Sequence, residues 1–203
     1  PGMKKGHNPQ HIIVLDSGGC VLDAMESKHR KAFIPAIFDT WPLADIYDLV
    51  NQTWIKINLY SHSRGVNRYL ALSEFLHVLR GNVPEEFKGI LPDPTVLDSW
   101  IQSTSSLSEI GLLEGIQSSG GRVRKELEHI LGWTRTVNKN ISWLPEPDVF
   151  HGAIPVLRQA YGSGIPVYVV SSANRSAIEK EWRSKEIEPL TRGIFGQEDG
   201  TKV

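Results

Sequence analysis

The stretch that most constrains this chain is His-Ile-Ile-Val-Leu-Asp-Ser-Gly-Gly-Cys-Val-Leu-Asp, from His11 to Asp23. Its apolar run, Ile12 to Leu15, is short and rich in β-branched residues, so it predicts a strand buried on both faces of a parallel sheet. The run ends at Asp16, and Ser17-Gly18-Gly19 supplies the backbone freedom for a sharp turn. Ligands of open parallel sheets bind beyond the carboxyl ends of the strands. Asp16 therefore stands where a nucleophile or a metal ligand is useful.

The rest of the composition sets limits. A chain of 203 residues holds one ordinary domain, or a small core with an insertion. Its formal net charge of -1 gives no basic excess that would recommend nucleic acid as a partner. No apolar stretch approaches the roughly 20 residues of a membrane span, and the N-terminus lacks a signal-peptide layout. The single cysteine, Cys20, permits no internal disulfide and fits a reducing cytoplasm.

After Asp23 the periodicity turns helical for about 120 residues. Helices are expected over 24–38 (with Pro35 as a kink), 43–60, 66–79, 95–101, 107–116 and 122–137. The serine-rich stretch 103–106 reads as a helix cap. A helix over 148–161 then leads, through Gly162 and Gly164, to a second buried strand, Ile165 to Val170. That strand ends in Ser171-Ser172-Ala173-Asn174 and is followed by a helix from Arg175 to about Lys185. Ile194-Phe195-Gly196 reads as a third short strand or its approach.

The segment Asp16-Ser-Gly-Gly-Cys-Val-Leu-Asp23 resembles the first motif of the haloacid dehalogenase (HAD) superfamily, D-x-D-G-[TV]-[LV]-x-D. Asp16, Gly19, Val21, Leu22 and Asp23 fall at the motif's places. Ser171 at a strand end resembles the second motif. The resemblance implies an α/β, Rossmann-like parallel-sheet core split after its first strand by a large all-helical cap, of the C1 type. The expected division is 1–23 core, 24–142 cap and 143–203 core. With two strands read firmly, the core is expected to be incomplete at its C-terminal side.

The resemblance also implies a chemistry. Asp16 would attack phosphorus to form an aspartyl-phosphate, with Mg²⁺ held by the Asp16 carboxylate and the main-chain carbonyl of Gly18. Ser171 would hold the phosphate by its hydroxyl, aided by Gly19, Cys20, Ser172, Asn174 and the first amides of the Arg175 helix. Gly18 departs from the motif, because phosphatases of the superfamily carry a second aspartate there as general acid and base. Turnover is therefore expected to be impaired, and Lys202 is the one candidate for a later lysine motif. In the cap, Arg64 and Arg68 flank a turn into a helix and are candidates for an anionic substrate. Lys28, His29, Arg30 and Lys31 read as a solvated basic face, and the six tryptophans as core.

The leading expectation is thus an impaired phosphatase acting on a small phosphorylated metabolite, cytoplasmic, binding neither nucleic acid nor membrane. A homo-oligomer or a missing C-terminal segment is expected to complete the sheet. Two alternatives compete. One is a non-catalytic HAD-like binding module. The other is a phosphonoacetaldehyde-hydrolase-like enzyme, which uses a small residue where Gly18 stands and a cap lysine, here Lys56, as Schiff base. His7, His11, His62, His77, His129 and His151 show no metal-ligand spacing.

Overall fold

The computed structural model describes residues 11–200, so His7 and Lys202 lie outside the described residues. Strand β1 spans Ile13–Leu15. Ten α-helices follow in the order α1 (Met25–Lys28), α2 (Ile34–Thr40), α3 (Tyr47–Tyr60), α4 (Arg68–Asn82), α5 (Glu85–Lys88), α6 (Pro94–Ser103), α7 (Glu109–Ser118), α8 (Gly121–Ser142), α9 (Ala153–Gly162) and α10 (Arg175–Ser184). Strand β2 (Val167–Val170) lies between α9 and α10, and β3 (Gly193–Phe195) follows α10. The chain divides into two compact units, one of residues 24–146 and the other of residues on either side of it. Among the described residues, no helix is long and apolar enough to cross a membrane.

The sheet unit is parallel throughout, with strand order β1-β2-β3. Ile13 pairs with Val167 and Leu15 with Val169, while Val169 pairs with Ile194 on the far side. Both connections step across the sheet in the same direction. Right-handed crossovers then put α9 and α10 on one face. Burial follows this alternation: Val167 and Val169 are buried, whereas Val14 is 55% exposed and Phe195 42%. Among the described residues β1 stands at one side of the sheet, with Ile12 58% and Val14 55% exposed, so the expected burial on both faces is not met by the described elements.

The helical unit carries its own core, from Phe33 and Ile37 through Trp54, Leu72, Phe75 and Leu97 to Leu131, Trp133 and Val137. Helix starts follow capping chemistry. Asn67 accepts from the Tyr69 amide, Asp93 from Thr95, and Ser108 from Gly111. The cap of α7 is therefore Ser108 rather than the stretch 103–106. Five of the six tryptophans are buried, but Trp143 is exposed and sits under the Lys139 ammonium at 4.9 Å.

The first helix of this unit departs from regular geometry. Between α1 and α2, residues His29–Phe33 form a π-helical turn in which the Ile34 amide bonds the His29 carbonyl. Pro35 supplies the reason. Its ring has no N–H and crowds the carbonyl of the preceding turn, and a widened turn makes room where a regular helix would kink.

The same turn buries His29, which breaks up the basic run: Arg30 and Lys31 stay exposed while His29 is only 7% exposed. Its ring stacks on Phe33 at 4.7 Å between centroids, and its Nδ1 accepts from the Trp54 indole N–H at 3.1 Å. Burial, with the Lys28 and Arg68 charges adding to it, lowers the His29 pKa from 6.5 to about 4. The folded-state value lies below the unfolded one, so the unfolded chain binds the proton more readily. This stabilisation is complete above pH 6.5 and is lost as pH falls towards 4. Urea unfolding followed across that window should lose roughly 3 kcal/mol from this group, with the loss largely absent in His29→Gln. An equal loss in the variant would assign the effect to other groups.

Candidate functional site

The turn after β1 is built around Ser17. Its carbonyl accepts from the amides of Val21 at 2.9 Å and Leu22 at 3.0 Å, with a longer contact from Cys20 at 3.4 Å. The Gly19 amide returns to the Leu22 carbonyl at 2.7 Å, and Gly19 has φ 80°, in the left-handed region where glycine is unstrained. The Gly19 amide is therefore engaged inside the turn in this structure. Leu22 in turn bridges to Val149, and Asp23 donates its amide to the Asp148 carbonyl. These bonds tie the turn to the segment that leads into α9.

Asp16 is the first residue beyond β1. It is half-buried, and its Oδ1 accepts from the Ser17 amide at 2.7 Å. Ser171 is the first residue beyond β2, buried, with its amide donating to the Phe195 carbonyl at 3.0 Å. Because Leu15 pairs with Val169, the two residues emerge at the same end of adjacent strands. The Ser171 Oγ accepts from the Ala173 amide at 3.3 Å, which leaves its own proton to donate elsewhere. Cys20 is an exposed free thiol at the outer corner of the turn.

The start of α10 is already occupied by protein. Asn174 caps it, accepting from Ser176, while its amide donates to Glu198. The Arg175 amide donates to the Glu198 carboxylate at 3.0 Å, and the Arg175 guanidinium pairs with Asp199. Asn174 and the first amide of α10 thus bond the Glu198 carboxylate, beyond β3, in this structure. Ser172 lies half-buried between Ser171 and this cap.

Arg64 and Arg68 belong to the helical unit, not to the unit that carries Asp16 and Ser171. Arg64 is exposed, within the turn closed by Gly65 at φ 82°. Arg68, at the start of α4, is half-buried: its guanidinium lies 5.5 Å from the Phe33 ring centroid and donates to Asn138 Oδ1 at 2.7 Å. Lys56 stands on the exposed side of α3, without the desolvation that turns a lysine into a Schiff-base nucleophile.

A Mg²⁺ ion takes oxygen ligands and usually keeps several waters, relying on one or two carboxylates and the substrate's own phosphate. Asp16 and the Gly18 carbonyl meet that minimum. Among the described residues, however, no group of three or more His, Cys, Asp or Glu is placed to hold a metal. The donor set suits an ion shared with a phosphorylated ligand rather than a tightly resident one. A shallow cavity of about 390 Å³ opens at the other end of the strands, beside Ile165 and Arg192, and offers no such donors.

Two residues that sequence reasoning passed over hold this end of the sheet. Trp182 of α10 is fully buried and donates its indole N–H to Ser17 Oγ at 2.9 Å. The apolar spacing of Ile178 and Trp182 marks the inner face of α10, but nothing local marks Ser17 as the acceptor.

The helix-rich α/β architecture with its three-stranded parallel sheet matches the HAD-like, Rossmann-type fold with a helical cap. No protein-family model and no curated protein matches the sequence. Among solved structures, the chain resembles a predicted phosphoglycolate phosphatase from Haemophilus somnus 129pt, with a TM-score of 0.54 and 12% identity over 97% of this chain and 67% of that one. A hydrolase from Streptococcus pneumoniae TIGR4 gives 0.39 and 14% identity over 95% and 70%, and a dehalogenase 0.42 and 9% over 95% and 65%. The chain spans about two thirds of the length of these proteins.

Ser17→Ala should leave the buried Trp182 N–H without its acceptor. The expected cost is about 1–3 kcal/mol of stability in the sheet unit, read by urea unfolding with tryptophan fluorescence. An unchanged midpoint would mean that the bond contributes nothing.

Proposed function

We propose that this chain is a phosphohydrolase scaffold of the HAD type, acting weakly on a small phosphorylated metabolite. The observation that carries the reading is the pairing of β1 with β2, which puts Asp16 and Ser171 at one end of neighbouring parallel strands. In this reading residues 24–142 are the C1 cap and residues 1–23 with 143–203 the core. Asp16 is the nucleophile and Ser171 donates its hydroxyl proton to a phosphate oxygen. Bound Mg²⁺, held by Asp16 and the Gly18 carbonyl, would neutralise phosphate charge that otherwise repels the carboxylate. Arg64 and Arg68 are the cap's candidates for contact with an anionic substrate. The protein is taken as cytoplasmic, with no nucleic-acid or membrane partner.

Gly18 sets the limit on rate. It brings neither a proton for the leaving group nor a base for the water that cleaves the acyl-phosphate, and such catalysis is typically worth about 10²–10⁴-fold. Gly18 is not among the residues with positive φ, so an aspartate fits its backbone without strain of that kind. A second reading, a non-catalytic module, draws support from Glu198. A carboxylate bonded to the Arg175 amide fills the helix start that would otherwise receive phosphate.

Gly18→Asp should raise Mg²⁺-dependent hydrolysis of p-nitrophenyl phosphate by about a hundredfold or more. Adding Asp16→Asn should abolish the gain. No increase in Gly18→Asp, in protein shown to be folded, would reject the phosphatase reading and leave the non-catalytic one.

A further inference from the structure

The helical unit holds two hydrogen-bonding side chains that the fold orients and, among the described residues, leaves only partly used. His29 is 7% exposed, and its Nδ1 is committed as acceptor to the Trp54 indole at 3.1 Å. A neutral imidazole whose Nδ1 accepts must carry its proton on Nε2. Among the described residues that Nε2–H has no protein acceptor. Nor is it one of the sealed, unpaired buried atoms, which are the indole nitrogens of Trp41 and Trp133. It therefore keeps contact with solvent through an otherwise buried ring.

Arg68 repeats the pattern. Of its five N–H donors, a single one has a partner among the described residues, the neutral Asn138 amide oxygen at 2.7 Å. Its other nitrogens are likewise not sealed in. The carboxylate that electrostatically favours the charge, Glu109, is reached only through Asn138, and it is itself paired with Arg135 at 2.9 Å. Burial lowers the Arg68 pKa, but a guanidinium keeps its proton in proteins, so a partly desolvated cation remains without a direct counter-ion among the described residues.

Both groups rest on one aromatic ring. Phe33 stacks on His29 at 4.7 Å and receives the Arg68 guanidinium at 5.5 Å. Phe33 is itself fixed by Trp54 at 5.7 Å and Trp133 at 6.0 Å, and the π-helical turn between α1 and α2 carries both His29 and Phe33. A fixed imidazole N–H and the remaining guanidinium N–H groups, without acceptors among the described residues, are pre-organised for an acceptor that arrives from outside.

We infer that His29 and Arg68, set on Phe33, form an anion-binding site of the helical unit whose ligand group is a carboxylate. Charge decides between carboxylate and phosphate. His29 is neutral above about pH 4, so the pair presents a single positive charge. That balances a carboxylate monoanion but leaves a phosphate dianion with uncompensated charge in a partly desolvated place. Shape agrees, because the planar guanidinium fork accepts both oxygens of a planar carboxylate. The inference stands apart from the phosphatase reading, since it requires no turnover and no residue of the sheet unit.

The test is an NMR titration of the ¹⁵N-labelled full chain at pH 7, following the imidazole nitrogens of His29 and Nε–H of Arg68. Before any addition, the His29 nitrogens should report the Nε2–H tautomer. Sodium acetate should shift both groups saturably, sodium chloride at equal ionic strength should not, and inorganic phosphate should bind at least about tenfold more weakly. Arg68→Gln should abolish the acetate response. Arg68→Lys, which keeps the charge and loses the fork, should weaken acetate binding about tenfold and serves if the glutamine variant does not fold. A non-saturating response, equal shifts with chloride, tighter binding of phosphate, or full acetate binding in the folded arginine variants would each overturn the assignment. Absence of hydrolysis in the Gly18→Asp experiment would leave it untouched.

Discussion

The sheet unit depends on how one turn closes. Three amides converge on the Ser17 carbonyl, and the Ser17 hydroxyl takes the Trp182 indole N–H from α10. The backbone thereby satisfies its own donors, while the hydroxyl anchors the helix that follows β2. Asp16 inherits its position from this arrangement. It is the last residue before the turn, and its Oδ1 accepts from the Ser17 amide. The same closure accounts for Gly19, since a residue at φ 80° must sit where the chain doubles back.

The helical unit is organised differently, around aromatic contacts rather than a backbone knot. Phe33, Trp54, Phe75 and Trp133 pack with centroid distances of about 5 to 6 Å, in stacked, tilted and edge-on pairs that suit their quadrupoles. Pro35 imposes the widened turn just before α2, and that turn brings His29 and Phe33 to this cluster. A residue with a strict backbone demand thus decides which polar side chain is buried. The cluster pairs the His29 Nδ1 but leaves its Nε2, and most of Arg68, without acceptors among the described residues.

Much of this was readable in the chain. The runs ending in Leu15 and Val170 announced two strands, and Ile194-Phe195 a third, because apolar β-branched runs bounded by glycine and serine have few other uses. Helices were legible from their apolar spacing, with ends displaced by up to five residues, since frayed turns and caps such as Asn67 and Ser108 depend on local geometry. The burial of His29 had a signal too: it lies four residues before Phe33 and seven before Ala36, on the apolar side of the helix. The surrounding lysines and arginine obscured that signal. The exposure of Ile12 and Val14 among the described residues was not legible, because composition alone does not say which strand faces neighbouring elements cover.

The sequence by itself determined that an acid would end the first strand, that a glycine turn would follow, and that a serine would end the second. Those are local facts, dictated by residue type and the steric rules of the backbone. Tertiary structure alone decided which groups those residues meet. Ser17 and Trp182 are 165 positions apart, the Arg175 amide is taken by Glu198 across β3, and His29 shares a ring with Arg68. Partners of that kind are chosen by packing, where many weak contacts select one arrangement at once, and no window of sequence contains both sides of the choice.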